Sequence, residues 1–172
     1  AAAPRRSPRN PRHPPGGRGR HRVCNANGRG QAARLVRPGR SRIVYGDREF
    51  IEEGIGATDN SFFEIFSFPF AAGDPKTALT RPVTAVITEG TARKIFGAES
   101  PLGKFVRLED GKDYAVTGVV KDVPSNSHVT FNLLRSFETL VAEDRAATEN
   151  WFAISDSVYI LLDEGGDARA LE

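Results

Sequence analysis

A charge discontinuity at residue 42 limits how this chain of 172 residues can fold more than any other feature. Residues 1–42 contain twelve Arg and no Asp or Glu. With 24 Lys plus Arg and 22 Asp plus Glu in the whole chain, residues 43–172 keep 12 basic and 22 acidic side chains, a net of −10. Two segments of such opposite character are not expected to share one core. The first is built from Arg, Pro, Gly and Ala, with almost no large apolar side chain before Leu35 and Val36. It cannot bury enough apolar surface to offset the entropy of ordering it, so residues 1–42 are expected to be disordered. Three readings stay open for it: a basic arm for nucleic acid or an anionic membrane surface, a plain disordered tail, or a stretch that is not genuine coding sequence.

The remaining length suits one domain with a real core. Cys24 is the only cysteine, so the chain forms no internal disulfide, and no Cys/His ligand spacing is present. No apolar run approaches the roughly 18–20 residues of a membrane-spanning helix. The basic N-terminus is not followed by the apolar stretch of a signal peptide. On these grounds the chain itself reads as soluble.

Order is expected from Ile43. Ile43–Tyr45 and Glu49–Ile51 predict two short strands around Gly46-Asp47. Asp59 is expected to cap a short helix carrying Phe62, Phe63 and Phe66 at helical spacing, and Gly73-Asp74-Pro75 then breaks the chain. Val83–Thr88, rich in β-branched residues, predicts a buried strand. It runs into a helix over Glu89–Phe96, with Thr88 as N-cap, Glu89 at the positive dipole end and Gly97 at the left-handed C-cap. Lys104–Glu109 and Asp113–Lys121 alternate around Asp110-Gly111-Lys112 and predict a hairpin. Strict alternation turns Ala115, Thr117 and Val119 one way, and Tyr114, Val116, Gly118 and Val120 the other. Beyond the 123–127 loop, His128–Leu134 and Trp151–Leu162 read as strands, and Phe137–Glu143 and the start at Asp167–Glu172 as helices. Short strands and helices without a βαβ rhythm indicate an α+β domain with a mixed or antiparallel sheet.

No constellation carries catalysis. Asp122, Ser125, Ser127 and His128 lie close in sequence, but no Gly-x-Ser-x-Gly accompanies them and a turn explains them better. Glu49, Glu52, Glu53 and Asp59 lack the ladder of a calcium loop. His13 and His21 have no metal-ligand partner at a suitable spacing. Gly97-x5-Gly103-Lys104 has the wrong spacing for a phosphate loop, and a strand follows where a helix is needed. The aromatic group Phe62, Phe63, Phe66, Phe68 and Phe70 reads as core.

The order of the pieces adds more. Asp59-x2-Phe62-Phe63-x2-Phe66-x-Phe68 is followed by Gly73-Asp74-Pro75-x2-Ala78-Leu79-x2-Pro82. Val86-Ile87-Thr88-Glu89-x2-Ala92-x-Lys94-x-Phe96-Gly97 comes next, then Pro101-Leu102-Gly103-Lys104 and Val116-Thr117-Gly118-Val119-Val120. Asp122-Val123-Pro124-x-Asn126-Ser127-His128-x2-Phe131 closes the series. This series resembles the MacB-like periplasmic core domain of ABC-transporter permeases, in the FtsX-like superfamily. The likeness covers 43–172 and is densest over 59–134.

The resemblance implies a domain on the periplasmic side of the bacterial cytoplasmic membrane, non-catalytic, that transmits conformational change in ATP-driven export. It implies no cofactor for this chain, ATP being bound by a separate ATPase subunit or domain. That ATPase is reached through membrane segments absent here, and a periplasmic protein is a further partner; nucleic acid is not expected to be one. Asp59, Phe63, Gly73, Thr88, Glu89, Phe96, Gly97, Pro101, Gly103, Gly118, Pro124, Asn126, Ser127 and His128 are then residues that specify the fold rather than a site. In the family a membrane helix and an ordered stretch precede the region matching Ile43, where this chain has its Arg/Pro/Gly run. Residues 43–172 therefore read as a partial domain and the chain as a gene fragment. Removal of residues 1–42 is expected to leave the domain folded.

Overall fold

A computed structural model of the protein describes residues 30–143 and 156–162. Strands β1 (Gly30–Tyr45) and β2 (Arg48–Thr58) form a long antiparallel hairpin. A one-turn helix, α1 (Phe62–Ile65), and strand β3 (Phe70–Gly73) follow. Strand β4 (Thr84–Thr88) runs directly into α2 (Glu89–Phe96). A second hairpin joins β5 (Phe105–Leu108) to β6 (Asp113–Val120). Then β7 (Leu133–Ser136) leads into α3 (Phe137–Glu143), and β8 (Asp156–Leu162) ends the described chain.

The strand pairings run in a closed circuit. β1 pairs with β2, β2 with β7 in parallel, β7 with β4, β4 with β6 in parallel, β6 with β5, and β5 with β1. β3 adds to the end of β6, and β8 adds to the first half of β1 from Gly30↔Leu162 to Val36↔Asp156. This is the mixed sheet with short helices that the sequence indicates.

Local chemistry explains the centre. All five residues of β4 are buried, as its β-branched composition requires. Thr88 stays extended and its Oγ1 accepts the Thr91 N–H at 3.3 Å, satisfying one free donor of the α2 N-terminus. Gly97 ends α2 at φ +67°, a conformation that a β-carbon disfavours. Ala92, Ile95 and Phe96 pack with Ile43, Ile87 and Tyr114 in one core. A second core gathers Leu35, Phe62, Leu79, Val86, Phe131 and Leu134.

Strict alternation along β6 fails at one residue. Ala85 pairs with Val116 but Val86 pairs with Gly118, so Thr117 is the extra residue of a bulge. Its Oγ1 donates within reach of the Ala78 and Ala85 carbonyls instead. Beyond the bulge the faces exchange: Val119 joins Tyr114 and Val116 in the first core, and Val120 joins Val86 in the second.

The expected boundary at residue 42 is wrong for residues 30–42, which form most of β1. Ala33 and Leu35 are 1% and 4% exposed. Pairing with β8 supplies the burial that local composition lacks. Removal of residues 1–42 thus takes away a strand of the circuit rather than a tail. Residues 1–29, with the rest of the expected arm and His13, His21 and Cys24, lie outside the described residues.

Two smaller differences follow from contacts distant in sequence. Asp59 does not cap α1: its Oδ2 accepts the Arg34 N–H at 2.9 Å, and the cap position is Ser61, without a side-chain bond. Residues 128–132 are irregular because the Asn132 backbone bridges Gly54 and Thr88, so the strand begins only at Leu133. Of the strand expected over Trp151–Leu162 the described part is Asp156–Leu162; residues 151–155 and the expected helix at Asp167–Glu172 fall outside the described residues.

Candidate functional site

The residues singled out in the sequence are spread through the fold and are not brought to one place. Thr88, Glu89, Phe96 and Gly97 belong to α2 and its caps. Phe63 is buried and meets Phe70 edge-on at 5.0 Å. Gly73, at φ +89°, lies against β6 so closely that a β-carbon there would sit 2.4 Å from the Thr117 carbonyl oxygen. Gly118 leaves space for the Phe70 ring, which would lie 2.7 Å from an added β-carbon. The Pro101 carbonyl accepts the Lys104 N–H, and the Gly103 N–H donates to Val116, which sets the entry to β5. Pro124, Asn126 and Ser127 form a turn closed by the Ser127 N–H on the Pro124 carbonyl.

The four residues that tempt a hydrolase reading are each otherwise engaged or exposed. Asp122 accepts the Gly90 N–H at 2.6 Å and the Arg93 guanidinium at 2.9 Å, and so anchors its loop on the N-terminus of α2. Ser125 is exposed. The Ser127 hydroxyl bonds to the backbone of Val129. His128 lies beside the rings of Phe66 and Tyr159, at 6.2 and 6.0 Å. The carboxylates also part: Glu49 meets Arg42, Glu52 meets Lys94 and Asn132, and Glu53 lies 3.8 Å from Arg40. Among the described residues, no group of three or more His, Cys, Asp or Glu is arranged to hold a metal ion. Lys104 lies near the Tyr45 and Phe96 rings and pairs with Glu99.

Two clefts remain. One, of roughly 370 Å³, opens between β2, the start of α2 and the loop after β6, with Glu52, Lys94, Asp122 and Asn132 on its walls. The second, of roughly 280 Å³, lies where β1, β2 and β7 meet the β5–β6 turn. Its wall holds a network that no sequence motif announces. Arg135 Nη1 donates to Asp110 Oδ2 at 2.6 Å and to the Tyr114 hydroxyl at 3.1 Å, while that hydroxyl donates to Asp110 Oδ2 at 2.7 Å. Burial, followed by the bond to Asp110, pushes the Tyr114 phenol up to about 12. Asp110 is readable in the sequence only as a turn residue, and Arg135 comes from a distant strand. On the solvent side, Arg107 grips Asp113 with two bonds of 2.8 and 2.9 Å. The side-chain bond comes first among the causes that hold Asp113 below the usual carboxylate range.

Among the described residues, the side chains singled out above do not come together as a nucleophile, a base and an oxyanion site. The geometry is a set of caps, turns and inter-strand bridges.

Comparison with known proteins bears on most of the chain. The family model described as "MacB-like periplasmic core domain" matches residues 25–172. It therefore includes residues 25–42. A curated relative, the macrolide export ATP-binding/permease protein MacB of Syntrophobacter fumaroxidans, is 31% identical over 98 residues. That stretch is 55% of this chain and only 13% of the relative. Among solved structures, a domain assigned to a permease protein of Porphyromonas gingivalis shares 24% identity with a TM-score of 0.69, covering 87% of this chain and 61% of that one. The periplasmic region of MacB from Actinobacillus actinomycetemcomitans shares 17% identity with a TM-score of 0.61, covering 82% and 61%. Both show the same fold, and this chain spans less than two thirds of either. Among the described residues, no helix is long and apolar enough to cross a membrane.

Proposed function

Because the chain belongs to the family of MacB-like periplasmic core domains, we propose that it passes conformational change across the membrane in ATP-driven export by an ABC-transporter permease. The observation that carries this reading is the family match over residues 25–172. The Syntrophobacter relative is named a macrolide export ATP-binding/permease protein, which supplies an ABC-transporter setting with an ATPase. In this reading the domain faces the periplasm, and the ATPase is reached through membrane segments beyond this chain. ATP is bound by that subunit or domain, this chain needs no cofactor, and a periplasmic protein is its second contact.

The physical task is mechanical rather than chemical. Coupling requires elements that hold two arrangements, not an acid/base pair. Supporting this, the residues that recur in the family pattern act here as caps, turns and core. The basic-arm alternative loses part of its footing, since Arg40 and Arg42 face Glu53 and Glu49 within the hairpin.

The test uses the permease that contains this chain, with its ATPase, in membranes. Ser41 and Glu109 meet at 3.4 Å across the β1 and β5–β6 elements, so Ser41→Cys with Glu109→Cys can be crosslinked there. Export is expected to fall on crosslinking and to return on reduction. Full export with complete crosslinking argues against coupling through this domain. ATP binding by the isolated chain would overturn the assignment of nucleotide to another subunit.

A further inference from the structure

The β1–β2 ladder is interrupted twice within a few residues. Between Val36↔Ala57 and Gly39↔Ile55, three steps on β1 face two on β2. Between Gly39↔Ile55 and Ser41↔Glu52, two steps on β1 face three on β2. The extra residues lie on opposite strands, so the original register resumes at Ser41. Each bulge breaks pairing and bends its strand. Pro38 has no N–H to give the ladder, and Gly54 sits at φ +69°, where side chains are disfavoured.

The halves on either side have different neighbours. Gly30–Val36 is held by β8, and Ile55–Thr58 by β7. On the other side, Ile43 and Val44 are held by β5. The 280 Å³ cleft opens at this junction, with Gly39, Ser41, Ile55 and Leu108 among its walls. A bridge spans it: Arg135 of β7 grips Asp110 of the β5–β6 turn, with Tyr114 as the third corner. Both charged side chains are only about a quarter exposed, at 25% and 24%, so the pair is less screened than one on the open surface.

We propose that the double bulge is a hinge between the β1–β8 ribbon and the tip of the β1–β2 hairpin, latched by Arg135 on Asp110. Gly30 and Leu162 pair at the far end of the ribbon, so displacement of the chain at either point enters the same half. The latch resists closure or opening of the cleft; breaking it lets the halves bend at Pro38–Gly39 and Gly54. This inference rests on the coupling role proposed above and gives that role a place in the fold.

The test uses the whole 172-residue chain with Cys24→Ser, and spin labels at two exposed positions, Asp47 in the hairpin turn and Val158 on β8. With the latch intact one distance is expected. Arg135→Gln, and separately the milder Asp110→Asn, should add a second distance or broaden the first. Amide exchange at Ser41 and Ile55 should quicken about tenfold, the size expected for loss of a charged hydrogen bond, while exchange at Ile87 and Val116 stays unchanged. Equal acceleration at all four amides would mean general destabilisation and would overturn the hinge. Unchanged distances and exchange in natively folded variants would overturn it too. In that case export lost on crosslinking Ser41 to Glu109 would still support coupling, by movement between β1 and the β5–β6 turn rather than at the double bulge.

Discussion

The β4–α2 unit and the β1–β8 ribbon reach burial by opposite routes. In the first, a run of β-branched residues, a capping Thr88 and a terminating Gly97 lie together within a few turns of chain, and the structure follows them residue by residue. In the second, nothing local favours order. Ala33 and Leu35 are buried because β8 lies alongside and the aromatic core lies beneath. Arg34, between them, sends its backbone N–H to Asp59 and places its guanidinium over the Phe137 ring at 5.0 Å. The arginines of this stretch belong to a strand with apolar residues at alternate positions, and their number concealed that alternation. Composition describes what a segment offers to solvent, not what a remote strand can bury against it.

The contrast is broken most directly at the shared core. Phe62 is fully buried and touches Phe63, Phe66, Phe68 and Phe131. Phe62→Ala should cost about 4 kcal/mol, from lost transfer energy plus the cavity left behind. Urea unfolding followed by circular dichroism measures it; a cost below ~1 kcal/mol would mean that the aromatic group is not a core.

Next comes Leu35→Ala, which separates the two views of the N-terminal segment. A disordered arm predicts no effect. A buried strand residue predicts about 3 kcal/mol. Deletion of residues 1–42 should go further and remove the cooperative unfolding transition, because β1 has a partner on both edges.

What the sequence showed follows the same division. The β4–α2 unit and the β5–β6 hairpin with its left-handed Gly111 rest on neighbours in sequence, and both were readable. β3 was missed because four residues carry little pattern, and its pairing with β6 is set by how closely Gly73 approaches Thr117. The face of Val119 was misjudged because a bulge is a property of two strands in register, not of one. Asp59 was assigned to the wrong partner for a similar reason, since Arg34 lies in a strand that was not expected. The Tyr114–Asp110–Arg135 network was invisible because its members come from a strand, a turn and another strand, and each alone looks ordinary.

Thr88→Ala probes the legible unit and should cost about 1 kcal/mol, the usual value of an N-cap side chain. Thr88 is also buried and bonds to the Thr91 hydroxyl at 3.1 Å, so Thr88→Ser should recover most of the loss. If the serine variant is as unstable as the alanine one, the methyl group matters and the cap does not.

The smallest effect, absent at neutral pH, tests the network that sequence reading missed. Burial and the bond to Asp110 raise the Tyr114 phenol from its ordinary 10.0 to about 12, so folding favours the neutral form. The sign follows from linkage: below pH 10 the phenol is neutral in folded and unfolded chains alike, and its contribution is complete. Between pH 10 and about 12 the unfolded chain loses this proton first, so stability falls as pH rises through that window. Lysines titrate in the same range, so the quantity to follow is the difference between the wild-type chain and Tyr114→Phe. That difference should be level up to about pH 10 and then shift against the wild type as the pH approaches 12. A difference that stays level across the whole window would mean that water reaches the phenol, and that the wall of the β1–β2–β7 cleft is less closed than the Arg135–Asp110 bridge indicates.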